Sequence, residues 1–128
     1  MTHRILIVDD QPDIRKLIRL TLQHLDDAEL FEAASGGEGL HLAQSVKPDL
    51  VLLDVMMPGE LDGYQVCARI KKDPALGSHT KVILLTARAQ KEDLENGRKA
   101  EADAYLTKAF SPLKLLDLVD EMLASPTA

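Results

Sequence analysis

Three short runs of unbroken apolar residues constrain this chain more than any other feature: Ile5-Leu6-Ile7-Val8, Leu50-Val51-Leu52-Leu53 and Val82-Ile83-Leu84-Leu85. A strand with one wet face alternates apolar and polar residues. A strand covered on both faces does not, so these runs read as the central strands of a parallel sheet. Parallel neighbours need long crossovers, and the intervals between the runs carry helical periodicity. Ile14, Leu17, Ile18, Leu22 and Leu25 keep the 3/4 spacing behind Pro12, which a first helical turn tolerates because its missing N–H has no partner there. Ala28 to Ala33 alternates like a half-covered edge strand, and Ser35-Gly36-Gly37-Glu38 is a capping-box pattern opening a second helix. Asp62 precedes a third helix with Val66, Cys67 and Ile70, stopped at Asp73-Pro74 because a residue before proline avoids helical angles. Lys91 to Ala100 is a fourth, with Leu94 its only large apolar residue and Gly97 weakening it, so it is expected to be the loosest. Ala104-Tyr105-Leu106 gives a fifth strand, and Ser111-Pro112 starts a last helix that buries Leu115, Leu116, Val119 and Leu123.

The order is a βα unit five times over, hence an α/β doubly wound fold, (βα)5, with a five-stranded parallel sheet covered by helices on both faces. The two less apolar strands belong at the edges, which favours the order 2-1-3-4-5 and opens a crevice at the carboxyl ends of strands one and three. The 128 residues make one domain, expected over residues 1–124, with Ser125 to Ala128 a frayed tail and no linker to a second unit. With 15 Lys+Arg against 21 Asp+Glu the net charge is −6, which removes the basic footprint that nucleic acid or an anionic membrane would attract. The single cysteine, Cys67, leaves no internal disulfide, and it reads as a small buried apolar residue. The chain enters its first strand without a signal-peptide pattern and has no run of membrane-spanning length, so a cytoplasmic location is expected. His3, His24, His41 and His79 show no metal-ligand spacing.

In a parallel sheet the closing residues of all strands share one edge. Strand one closes on Asp9-Asp10, strand three on Asp54, strand four on Thr86 and strand five on Thr107-Lys108. Three carboxylates, a hydroxyl and an ammonium would therefore converge at the crevice. A phosphate loop needs glycines and bare N–H groups after strand one, whereas Asp-Asp-Gln-Pro repels an unaccompanied phosphate. Clustered carboxylates require a cation, and hard oxygen donors select Mg²⁺ or Mn²⁺. A phosphoryl group held beside Asp54 could then be attacked in line by its carboxylate, with Lys108 and Thr86 contacting the other phosphoryl oxygens. Singly, each residue has a bland reading: Asp9-Asp10 as a cap for helix one, Thr86 as a common strand-end residue, Tyr105 as an edge-strand aromatic, Lys108 as a surface lysine. Their arrival at matching strand ends is what favours chemistry.

The strings ILIVDD, LVLLDVMMP, DGY, VILLTA and AYLTKAF, in this order and spacing, resemble the receiver domains of two-component response regulators. The resemblance is to the single-domain, CheY-like kind with a flavodoxin-like fold. It implies that Asp54 is the phosphoacceptor, that Asp10 ligates Mg²⁺ directly and Asp9 mainly through water, and that the backbone carbonyl of Met56 completes the protein ligands. Thr86 would be the switch hydroxyl, Lys108 the phosphate-pairing lysine, and Tyr105 an aromatic that turns inward and alters the face of helix four, strand five and helix five. Met56 and Arg88 would tune the phosphoryl lifetime. The implied partners are a histidine kinase or histidine phosphotransfer protein as donor and a protein target downstream, with a homodimer left open. Catalysis would be limited to self-phosphorylation and autodephosphorylation, so the chain is not expected to be an enzyme.

Three departures stand out. Ala109 replaces the usual proline, so the Lys108-Ala109 peptide is expected either trans with a rearranged loop or cis at a cost of about 2.5–4 kcal/mol. The loop from Pro58 to Gly63 is one residue longer than the family's. Glu101 stands where glycine is usual, and a left-handed cap there would be strained. These keep open a degenerate docking receiver with impaired switching. A small Mg²⁺-dependent phosphatase working through an aspartyl-phosphate is the other alternative; it lacks the second acid such enzymes carry two residues after the nucleophile, since position 56 is Met. A flavodoxin-like cofactor binder is disfavoured by the acidic first turn.

Overall fold

The computed structural model describes residues 3–23, 25, 27–57, 61–77, 79–87, 91–108 and 110–124, with the backbone alone for 91–94. Strands and helices alternate as β1 (His3–Val8), α1 (Pro12–Leu22), β2 (Ala28–Ala33), α2 (Gly36–Val46), β3 (Leu50–Asp54), α3 (Gly63–Lys72), β4 (Lys81–Thr86), α4 (Lys91–Lys99), β5 (Ala104–Thr107) and α5 (Pro112–Ala124). All pairings are parallel, in the order β2-β1-β3-β4-β5. The expected α/β order is thus the observed one, with the least apolar strands, β2 and β5, at the edges.

The period of two along the central strands sorts their side chains onto two cores. Leu6, Val8, Val51, Leu53, Val82 and Leu84 pack under Ala43 of α2 and Val66, Cys67 and Ile70 of α3, together with Ala100 after α4. Ile5, Ile7, Leu50, Leu52, Ile83 and Leu85 pack under Ile18 and Leu22 of α1 and Leu115 and Val119 of α5. Every strand residue in both sets is fully buried, at about 1.5–3 kcal/mol per large aliphatic side chain, which is why the runs carry no polar residue.

The helix punctuation follows the sequence with local corrections. Ser35 Oγ accepts the N–H of Glu38, the forward half of the expected box, whereas both halves are present at Asp62 and Gln65. Ser111 Oγ accepts the N–H of Lys114 as expected of a cap. Leu17, expected in the buried stripe of α1, is 40% exposed, because the stripe narrows to Ile18 and Leu22 where α1 meets the sheet. In the last helix Leu116 and Leu123 are half-buried at the margin of the core. After α4, the Ala102 N–H donates to the Gly97 carbonyl and the Glu101 N–H to that of Arg98, a Schellman closure. It needs a left-handed residue, and Glu101 supplies it at φ 65°. The tail 125–128, the side chain of Leu94 and residues 58–60 of the lengthened loop lie outside the described residues.

Candidate functional site

The strand register assembles the site. Asp54 closes β3 opposite Leu85, and Thr86 closes β4 opposite Thr107, while Asp9 follows β1 with its N–H on the Ala33 carbonyl at 3.1 Å. Lys108 leaves β5 with its N–H on the Thr86 carbonyl at 2.7 Å, which fixes the origin of its side chain beside β4. Gly63 opens α3 so close to β3 that a Cβ there would meet the Asp54 carbonyl oxygen at 2.2 Å. Only glycine lets this helix start against the backbone of the acid.

Asp9, Asp10 and Asp54 offer carboxylate oxygens that all lie within 4.8 Å of one another. Asp9 and Asp54 are buried, at 0% and 1% exposure, and Asp10 is half-buried. Asp9 Oδ1 accepts the N–H of Gln11 at 2.9 Å, and Asp54 Oδ1 accepts the N–H of Met56 at 3.1 Å. The second oxygens, Asp9 Oδ2 and Asp54 Oδ2, are buried without a hydrogen bond. Both face the Lys108 ammonium as ion pairs, at 3.3 and 3.1 Å. That ammonium donates instead to Gln11 Oε1 at 2.9 Å.

Burial, then repulsion from Asp9, pushes the Asp54 carboxyl up to about 7, against the opposing pull of Lys108 and the Met56 N–H. Burial acts to lower the Lys108 ammonium, but contact with Asp54 and the attraction of Asp54 and Asp9 more than offset it, so its pKa is raised. Three carboxyl groups face one ammonium in a partly buried bowl. Two orphaned buried oxygens in an all-carboxylate donor set fit a hard divalent cation of the Mg²⁺ type.

Thr86 is 5% exposed at the rim. Tyr105 is half-buried, packed on the core beneath α4, and burial raises its phenol pKa. Met56 turns its side chain outward, 75% exposed, while its N–H serves Asp54. Arg88 and the Lys108-Ala109 peptide lie outside the described residues. Two contributors escaped the sequence reading. Gln11 holds Asp9 through its backbone and Lys108 through its side chain. Arg15 donates from Nη1 to the Asp9 carbonyl and from Nε to Glu32 at 3.3 Å, and Glu32 also accepts from Arg19 at 2.6 Å. The available signal was the placement of Arg15 and Arg19 one helical turn apart on one face of α1.

Among the described residues, Cys67, His3 and His79 lie away from the bowl. Cys67 is buried, its Sγ donating to the Ala100 carbonyl, and burial pushes the thiol up to about 12. His3 and His79 flank Asp49 at the opposite edge of the sheet, at 3.9 and 2.9 Å. A surface pocket lined by His3, Leu25, Asp27, Asp120 and Leu123 also lies at that far edge. None of the described helices is long and apolar enough to cross a membrane.

Known proteins resemble this chain in sequence and fold. Protein PilH of Pseudomonas aeruginosa is 39% identical over 122 residues, covering 94% of this chain and 98% of PilH. The DNA-binding dual master transcriptional regulator RpaA of Synechocystis is 39% identical over 121 residues, covering 94% of this chain, which spans only 46% of RpaA. The crystal structure of the chemotaxis response regulator CheY4 of Vibrio cholerae superposes with a TM-score of 0.87 at 28% identity, over 96% of this chain and 100% of that one. Residues 5–120 match the response regulator receiver domain. The sheet order, the acid bowl at its carboxyl edge and these likenesses agree: the chain belongs to the family of response regulator receiver domains.

Proposed function

We propose that the chain is a phosphoacceptor of a two-component phosphorelay, taking its phosphoryl group on Asp54. The observation that carries this reading is a buried carboxylate with one oxygen held by a backbone N–H and the other unbonded, 3.1 Å from the Lys108 ammonium. In the transfer, the phosphorus–nitrogen bond of a donor phosphohistidine breaks as a phosphorus–oxygen bond to Asp54 forms, and the imidazole keeps the bonding pair. Lys108 pairs with a phosphoryl oxygen, and the Thr86 hydroxyl hydrogen-bonds another. The Met56 N–H orients the acceptor, and Gln11 and Arg15 hold the loop that carries Asp9 and Asp10. Those acids and Asp54 would hold Mg²⁺, with the Met56 carbonyl as a further ligand, and the ion would supply charge neutralisation for the phosphoryl oxygens. The donor is a histidine kinase or histidine phosphotransfer protein in the cytoplasm. The output is a changed protein-binding face on α4, β5 and α5, so the chain signals and does not turn over a separate substrate.

Incubation with acetyl phosphate and Mg²⁺, followed by intact-mass measurement, tests this. One phosphoryl adduct is expected on the wild type and none on Asp54→Asn, with the adduct mapping to the peptide that contains Asp54. An adduct that persists in Asp54→Asn removes the assignment.

A further inference from the structure

Tyr105 and α4 meet at a point the switching scheme does not use. A Cβ built on Gly97 would lie 2.2 Å from Tyr105 Cε1, 2.6 Å from its hydroxyl oxygen and 2.8 Å from Cζ. The phenol end of the ring therefore occupies the space where any other residue would carry its side chain. Gly97 is buried beneath it, and it also accepts the Ala102 N–H that closes the helix. A crossover helix runs antiparallel to its strands, so this last turn of α4 lies toward the amino-terminal edge of the sheet.

We propose that Gly97 is a positioning residue for the switch. Its bare Cα is the seat that holds the Tyr105 ring in the phosphoryl-free chain, so that ring and α4 change together. The inference deepens the phosphoacceptor reading and rests on it for the direction of the effect. A side chain at position 97 removes one of the two ring positions. The population then moves toward the other, and a ligand that prefers the switched form binds more tightly by the factor gained in that population.

The chain has two tyrosines, Tyr64 and Tyr105, so 3-fluorotyrosine labelling gives two fluorine resonances, and Tyr64→Phe assigns them. In the wild type, Mg²⁺ with beryllofluoride is expected to move the Tyr105 signal. Gly97→Ala without any mimic is expected to move it in the same direction and to tighten beryllofluoride binding at least threefold. In a Tyr105→Ala background the same substitution should leave that affinity unchanged, because no ring is left to unseat. A Tyr105 signal in Gly97→Ala that coincides with the wild type overturns the proposal. So does an affinity gain that persists without the ring. If Gly97→Ala fails to fold, the double variant decides: it should fold as well as Tyr105→Ala alone, and equal damage in both backgrounds overturns the seat. A wild type that binds no beryllofluoride instead defeats the Asp54 reading, and the seat is then judged by the mimic-free spectra and the stability cycle alone.

Discussion

At the scale of residues, the site is defined by a charge imbalance that the fold tolerates. Asp54 is raised to about 7 by burial and by Asp9, and that value already includes the help of Lys108 and the Met56 N–H. The native state therefore holds a proton on Asp54 up to that pH, while the unfolded chain releases it near the ordinary 3.8. Between these two values the native state binds more protons, so stability falls as pH rises from about 4 to about 7 and the full cost is present above that. Without a divalent ion, Asp54→Asn is expected to stabilise the chain by on the order of 1–3 kcal/mol at pH 8, the gain shrinking toward zero by about pH 4. Urea unfolding of both proteins in chelator across that range checks the sign; a gain independent of pH would assign the effect to something other than the carboxyl charge. The acids were legible in sequence because each closes an apolar run, and a run that ends on a charge points it at the sheet edge. Gln11 was not, since its bond to Lys108 joins residues at opposite ends of the chain and exists only once β1 and β5 share a sheet. The Asp9-Asp10 cap reading gives way for a physical reason: Gln11 is the N-cap of α1 and makes no side-chain cap, while Asp9 is sealed in the bowl.

At the scale of elements, strain sits at the ends of α2 and α4. Glu101 closes α4 at φ 65°, and Lys47 closes α2 at φ 53°, conformations in which a Cβ crowds the following carbonyl. The sequence exposed the first of these as a missing glycine, and the structure keeps the left-handed turn in spite of it, because the two Schellman bonds leave the backbone no other path. Lys47 was hidden, since lysine before proline reads simply as a helix stop. Glycine at position 101 relieves about 1–2 kcal/mol of crowding but returns about 0.4–1 kcal/mol of freedom to the unfolded chain. A net gain of about 0.5–1 kcal/mol is expected for Glu101→Gly, a few degrees in Tm for a domain of this size. Glu101→Ala should give no such gain, because alanine keeps the Cβ. Thermal unfolding of both variants checks this, and equal shifts would mean that the side chain's charge, not its backbone angle, sets the effect.

At the scale of the whole molecule, the two edges of the sheet are built to opposite ends. The amino-terminal edge is satisfied: Asp49 takes the Arg4 N–H at 2.8 Å and pairs with His79, and Lys71 ties the Thr80 carbonyl to Asp103, which also takes the Val82 N–H. The carboxyl edge keeps two buried oxygens without hydrogen bonds. The apolar runs foretold both the sheet order and the gathering of acids at one edge, but not this asymmetry, which comes from side chains in loops whose partners are distant in sequence. The asymmetry has a thermodynamic consequence. The acid trio is assembled only in the folded chain, so a divalent ion held there would bind the native state and stabilise it by mass action, about 1.4 kcal/mol for each tenfold rise above its dissociation constant. At matched ionic strength, Tm is expected to climb by about 4–8 °C per decade of Mg²⁺ once that constant is passed. Asp10→Ala should need far more Mg²⁺ for the same rise, because it removes the most accessible of the three carboxylates and leaves both cores untouched. Lys71→Met, at the other edge, should lower Tm yet leave the Mg²⁺ slope as it is. Equal Mg²⁺ slopes in the wild type and Asp10→Ala would place the ion elsewhere and leave the two buried oxygens to Lys108 alone.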